Sequence, residues 1–418
     1  MTFGKGHHLH LIDGSAFIFR AYHALPPLTR KSDGLPIGAV AGFCNMLHRY
    51  VEGNTGPNAP THVAVIFDKG SHTFRNDMYD QYKANRDAMP EDLRPQIPLT
   101  RTATEAFNIA CKELEGYEAD DIIATLAVQA RAAGGRCTII SSDKDLMQLV
   151  GDGVEMLDAM KNKTIDRDGV FEKFGVYPER VVDVQALAGD SVDNVPGAPG
   201  IGIKTAALLI NEYGDLDALL ERAGEIKQPK RRQTLIDHAE QIRLSRNLVL
   251  LDENTPLDFT IDDLEVRDPD ADRLLGFLSE MEFRTLSKRV AEVLGREAPA
   301  IPEAPAPAVA DAPQVADVAF DHSKYEQVGD AEALRVWLNR IYERGYVAVD
   351  TETTGLNEMT AELVGVSLAV EPGQACYIPL THKASRDDDL FGGEGLAPGQ
   401  MPVEEALQLL TPMLEDPA

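Results

Sequence analysis

The sequence predicts an α/β protein with a parallel-type central sheet, followed by a second, smaller unit. Two patterns predict it. Short β-rich runs, HLHLI and THVAVIF, each end in a carboxylate, Asp13 and Asp68, and a third, Cys137 to Ile140, is followed by Asp143 and Asp145. Helical-period stretches alternate with these runs, the arrangement that builds parallel sheets with ligands bound at the strands' carboxyl ends.

Taken in order, HLHLIDGSAFIFRAYHAL reads as strand, tight Gly-containing turn and helix. His7, His8 and His10 lack a ligand-spaced partner and read as alternating on an edge strand rather than as a metal site. After THVAVIFD, the stretch from Lys69 to Arg101 mixes Arg75, Lys83, Arg86, Arg94 and Arg101 with Phe74, Tyr79 and Tyr82. Cations that grip phosphates, interleaved with rings that stack on bases, suit single-stranded nucleic acid, although a solvated helical face reads equally well from this stretch alone. Its place directly after Asp68 favours a substrate clamp.

Three bursts of acid follow. Asp120 and Asp121 open a helix whose apolar residues Ile122, Ile123, Leu126 and Ala130 keep helical spacing, with Glu118 two residues earlier in an extended entry. Asp143 and Asp145 lie just past a strand, and Asp190 and Asp193 lie about a helical turn apart in LAGDSVDNVPG. Singly, Asp before a helix is an ordinary N-cap, and Asp-Asn before Val-Pro-Gly is ordinary turn chemistry. Caps do not explain pairs at every site. If the groups converge, repulsion raises their pKa values unless cations neutralise them, and a divalent metal is the economical answer. Next, Gly197, Gly200 and Gly202 in VPGAPGIGIKTA free backbone N–H groups to approach a ligand, with a helix beginning near Lys204. The pattern resembles helix-hairpin-helix modules, which hold one duplex strand by its phosphates. Lys227, Lys230, Arg231 and Arg232 read as a solvated loop.

The net charge of -28 argues at first against a nucleic-acid partner. From Ile301 to Ala418, however, 6 Lys and Arg face 21 Asp and Glu, so over half of the excess lies in the last part of the chain. Local charge is the better guide. The four cysteines form no CxxC pair and suit a reducing compartment. No early stretch resembles a signal peptide and no apolar run approaches membrane length, so a soluble cytoplasmic protein without membrane partners is expected.

Together LIDGSAFIFRAYHALPPL, VIFDKGSHTFR, YKANR, GYEADDIIATLA, SSDKDLMQL and LAGDSVDNVPGAPGIGIKTA resemble the 5′-nuclease domains of the bacterial DNA polymerase I family, relatives of the flap endonucleases, over about Leu9 to Leu294. The resemblance implies a PIN-like core over residues 1–175 with a helical arch at about 70–101, and a helix-hairpin-helix subdomain over 176–296. It implies that Asp13, Asp68, Glu118 and Asp120 hold one Mg²⁺ ion, and that Asp121, Asp143, Asp145, Asp190 and Asp193 build a second site. Mn²⁺ would substitute, since all-oxygen ligation disfavours Zn²⁺. Two ions about 4 Å apart can activate water and stabilise the leaving oxygen of a phosphodiester. By the same resemblance Lys83 and Arg86 draw the scissile phosphate inward, Tyr82 stacks on a base and Arg75 guides phosphates. Gly200, Gly202 and Lys204 hold the duplex, with K⁺ as a candidate ion there.

Residues 297–322 are a Pro/Ala-rich linker by composition. Beyond it, YVAVDTETTGLN, ELVGVSLAV and ACYIPL read as three antiparallel strands of a ribonuclease H-like unit over 323–418, with Asp350 and Glu352 on one face. DTETTGL resembles the first motif of 3′→5′ proofreading exonucleases. The later metal-binding motifs do not appear before Ala418, and Asp387, Asp388 and Asp389 match neither, so no proofreading is expected and the chain reads as part of a longer polymerase. The expected function is a monomeric, structure-specific 5′ nuclease of bacterial nucleoid DNA, acting on 5′ flaps, nicks, gaps and RNA primers. Two alternatives are a junction-binding module that does not cut, which would survive chelation, and a single-strand ribonuclease, which the duplex-holding hairpin disfavours.

Overall fold

A computed structural model describes residues 2–25, 27–56, 59–86, 88–158, 161–299, 325–355, 361–371, 373–383 and 396–414. In the first unit, the six residues of β1 (His8–Asp13) are all buried, because β1 is the middle of the sheet rather than its edge. With β2 (His62–Ile66), β3 (Ala110–Lys112), β4 (Arg136–Ile140), β5 (Val154–Asp158) and β6 (Lys163–Ile165), the order is β3-β2-β1-β4-β5-β6. Every pairing is parallel except β5 with β6. The edge-strand expectation for the histidines is thus corrected: His8 and His10 are buried, bonded to Thr138 Oγ1 and the Tyr50 hydroxyl, both at 2.8 Å.

Strand alternation sorts the apolar residues onto two faces. Leu9, Leu11, Ala64 and Ile66 join a core under the helix Ala119–Ala132, which contributes Ile122, Ile123, Leu126 and Ala130. Ile12, Val63 and Val65 face the other way, toward Phe17 and Ile18 of the helix Gly14–Ala24 and Val40, Phe43 and Leu47 of the helix Gly38–Gly53. Each fully buried Leu, Ile or Phe contributes roughly 1.5–3 kcal/mol, so covering both faces fixes the register of β1. The helices Val181–Ala188, Ile203–Tyr213, Leu216–Glu221, Pro229–Asp237 and Ala239–Val249 follow, and Ala206, Leu209 and Ile210 enter the first of these cores. Leu278 and Val290, from the helices Ala271–Glu280 and Arg284–Val293, pack in the second core with Phe43. The basic stretch forms no continuous helical arch among the described residues: a five-residue helix Phe74–Met78 leads into turns, and the helix Gln96–Ala106 comes later.

The second unit contains β7 (Glu326–Gln327), the helix Ala331–Arg344, β8 (Ala348–Thr353), β9 (Leu363–Glu371), β10 (Gln374–Pro379) and the helix Val403–Leu414. Its sheet runs β7-β10-β9-β8, with β8–β9 and β9–β10 antiparallel, around Leu334, Trp337, Leu368, Ile378 and Leu410. β8 is exposed throughout, carrying Asp350 and Glu352 two residues apart. Most of the linker and Asp387, Asp388 and Asp389 lie outside the described residues. Among the described residues no helix is long and apolar enough to cross a membrane.

Candidate active site

The carboxyl end of β1 places Asp13, and a close backbone approach brings Asp68 beside it. A Cβ on Gly14 would lie 2.7 Å from the Ile66 carbonyl oxygen and 2.5 Å from the Phe67 ring, so only glycine lets the helix start this near the end of β2. Asp13 caps that helix, accepting from Ala16 N at 3.0 Å and from Ser141 Oγ at 2.8 Å. Asp68 accepts from Ser15 Oγ at 2.6 Å and Ala119 N at 2.9 Å, which ties it to the start of the helix Ala119–Ala132. Glu118 is that helix's N-cap and Asp120 lies in its first turn.

From β4, Asp143 accepts the Asp145 N–H at 2.8 Å, and Gln185 Nε2 donates to Asp145. Asp190 accepts from Lys144 Nζ at 2.5 Å and from Val192 N at 2.8 Å. Arg86 donates to Asp193 at 2.5 Å, while Lys83 Nζ lies 2.6 Å from Glu118 and 3.8 Å from Asp193. Glu118, Asp120, Asp143, Asp145, Asp190 and Asp193 line one cleft with Lys83 and Arg86.

Crowding marks the chemistry. Burial, then the Asp68 and Asp143 charges, pushes Asp13 up to about 6. Burial and the Asp143 charge lead a like effect that takes Asp145 up to about 7. Asp120 also moves upward, through burial and the charges of Asp143, Asp13 and Asp68. Asp190 goes the other way: burial opposes ionisation, but the Lys144 ammonium and backbone N–H groups hold it below the ordinary range. Among the described residues no group of three or more His, Cys, Asp or Glu is gathered at metal-coordination spacing. The donor set nonetheless suits a hard divalent cation, being all oxygen and short of positive charge.

Three expected roles need correction. Asp121 is fully buried and accepts two hydrogen bonds from Arg75, both at 2.7 Å, one from Glu118 N at 3.2 Å and one from Asp252 N at 2.9 Å. Those four bonds occupy its oxygens, so it is no ligand as placed. Arg75, 1% exposed, is its partner and reaches no solvent from which to guide a phosphate. Tyr82, 4% exposed, directs its hydroxyl to Glu118 at 3.2 Å and to Asp193 at 3.4 Å, so its ring has no free face for a base. Of the extended entry expected for Glu118 and Asp120, only Glu118 is extended, as the N-cap; Asp120 is already in the helix's first turn, and both line the cleft. Gly200, with φ of +76°, Gly202, which caps the helix Ile203–Tyr213, and Lys204 are exposed, and a Cβ on either glycine would meet open space. Sequence reasoning missed Ser15, Ser141, Lys144 and Gln185, each hydrogen-bonded to a site carboxylate. For Ser141 and Lys144 a signal existed, their place beside Asp143 past β4.

Residues 8–175 match a family model described as 5′-3′ exonuclease, N-terminal resolvase-like domain, and residues 176–272 match 5′-3′ exonuclease, C-terminal SAM fold. The 5′-3′ exonuclease of Aquifex aeolicus is 36% identical over 287 residues, covering 68% of this chain and 96% of that protein. The chain belongs to the 5′-3′ exonuclease family. Residues 325–418 of this exonuclease match a 3′-5′ exonuclease model. The DNA polymerase I of Rhizobium leguminosarum is 50% identical across 99% of the chain, and that of Pseudomonas aeruginosa 38% across 97%. The exonuclease spans about half the length of these curated relatives, 47% and 42%. It therefore carries the 5′-3′ exonuclease and 3′-5′ exonuclease regions of the bacterial DNA polymerase I family, and its first region is a phosphodiester hydrolase. In fold it is similar to a structure titled as divalent metal ions (zinc) bound to T5 5′-exonuclease, with a TM-score of 0.50 and 19% identity over 69% of this chain and 98% of that one.

Proposed function

We propose that the carboxylate cleft is a divalent-metal nuclease centre that cuts 5′ flaps and nicked or gapped DNA, RNA primers included, in the bacterial cytoplasm. One observation carries this: eight carboxylates from distant stretches, Asp13, Asp68, Glu118, Asp120, Asp143, Asp145, Asp190 and Asp193, meet past the strands' carboxyl ends, and burial and mutual charge push three of them toward the proton. Two Mg²⁺ ions, or Mn²⁺, held there would supply the activated water and stabilise the leaving oxygen. Asp13 and Asp68 are pre-oriented by Ser141, Ser15 and two backbone N–H groups, one bond to each carboxylate oxygen, which leaves each oxygen a lone pair for an ion. Lys83, Arg86 and Lys144 pair with Glu118, Asp193 and Asp190 and offset only part of the cluster's charge. They are the cations that would turn to the scissile phosphate and offset its developing charge. Gly200, Gly202 and Lys204 offer exposed backbone N–H groups and an ammonium to the duplex phosphates, with K⁺ as a candidate ion. In the second unit, Asp350 and Glu352 on β8 are proposed as the first metal-binding pair of the 3′-5′ exonuclease region. The chain acts as a monomer in this reading.

The test is a substrate panel of 5′-labelled flap duplex, nicked duplex and single-stranded RNA, each with Mg²⁺ and with EDTA. Release of the flap near its junction, lost in EDTA and faster than RNA cleavage, is expected. Uncut flap that still shifts on a gel would overturn the nuclease reading in favour of junction binding.

A further inference from the structure

We infer that Arg75 and Asp121 form a buried clamp that sets the register between the helical region and the carboxylate cleft, and so fixes where along the strand the cut falls. The inference rests on the cleft being the cleavage centre. Arg75 sits in the stretch that carries Lys83 and Arg86, and its guanidinium spends its donors on two other stretches. It grips Asp121 in bidentate fashion at 2.7 Å for each bond, and donates to the carbonyl oxygens of Leu248 at 2.8 Å and Leu250 at 3.0 Å. Asp121 in turn accepts the N–H of Glu118, a cleft residue, and the N–H of Asp252. One ion pair thereby fastens three stretches: the basic segment, the start of the helix Ala119–Ala132, and residues 248–252.

The last stretch matters because it ends the helix Ala239–Val249, which holds the loop bearing Asp190 and Asp193. Gln241 Nε2 donates to the Gly197 carbonyl at 2.6 Å, and Gly197 N donates to Ser245 Oγ at 3.0 Å. Ala198 and Ile201, buried beside the exposed hairpin, continue from that loop. The duplex-holding hairpin is therefore connected to the cleft through a buried fork of fixed geometry. A lysine could keep the charge but not the two-pronged grip and both carbonyl bonds. Arg75 and Asp121 are positioning residues: Asp121 is fully buried, and Arg75, which borders the cleft with its guanidinium 3.6 Å from Glu118, is 1% exposed and has its hydrogen bonds turned inward.

Arg75→Lys separates this from phosphate contact. The flap assay reads product lengths and kcat with Mg²⁺, and flap affinity is measured in EDTA across salt concentrations. The clamp predicts that one dominant product gives way to cuts at neighbouring nucleotides and that kcat falls at least about tenfold. Affinity stays within about twofold and the salt slope is that of the wild type. Wild-type product lengths, or weaker binding with a salt slope reduced by about one, would overturn the clamp and restore a phosphate contact. Should Arg75→Lys lack a cooperative melt, Arg75→Gln/Asp121→Asn, which keeps hydrogen-bonding groups without buried charge, decides on the same measures. Failure of the nuclease reading shows separately, as wild-type protein that leaves the flap uncut.

Discussion

His10 lies in the middle of the sheet, where a proton is poorly solvated. Burial, helped by the charges of His8 and Arg136, pushes its pKa down to about 3 from the ordinary 6.5. Below pH 6.5 the unfolded chain therefore takes up a proton that the native chain refuses until about pH 3, and stability falls as pH drops through that window. Between pH 7 and pH 5 the loss from this one ring is about 2 kcal/mol. Urea unfolding at the two pH values should show that loss shrinking in His10→Gln, and an unchanged difference would contradict the assignment. The acidic residues teach a related lesson. Asp120 and Asp121 adjoin in sequence, but a helix turns them about 100° apart, so when one faces the cleft the other enters the core. The pair was legible as a site and its division of labour was not, because the choice depends on the Arg75 side chain, 46 residues away in sequence.

The loop from Gly189 to Gly197 is the element on which the second half of the site depends. A Cβ on Gly197 would lie 2.4 Å from Gly189 N and 2.6 Å from its Cα, and Gly197 has φ of +58°. Two backbones touch there, and Asp190 and Val195 exchange N–H to carbonyl bonds at 2.9 and 2.7 Å inside the turn. Gly197→Ala adds both overpacking and left-handed strain, so a loss of about 2–4 kcal/mol is expected in urea unfolding. Flap cleavage should fall with it; a variant as stable and active as wild type would show that the loop needs no such contact. Elements of this kind were readable from VPGAPGIG, as were the strands ending in Asp13 and Asp68, because glycine demand and strand alternation are local properties. The basic stretch was not. Rings and cations alternating along Phe74 to Arg86 fit a solvated face and a buried plug equally, and Lys83, with φ of +57°, breaks any helical projection.

Across the whole molecule, a net charge of -28 and a DNA substrate are compatible because the charge is unevenly placed. Much of the excess lies in the last part of the chain, and the cleft carries its own counterions in Lys83, Arg86 and Lys144. The cluster is then an assembly in which divalent ions and these cations compete for the same oxygens, so metal affinity should depend on both. Its most direct test counts ions: Mn²⁺ titrated into the purified chain, with the unbound ion followed by electron paramagnetic resonance, for wild type and for Asp145→Asn. Two Mn²⁺ per chain at the first unit are predicted, falling to one in the variant. A wild type that binds none, or a variant that still holds as many ions as tightly, would contradict a two-ion carboxylate centre.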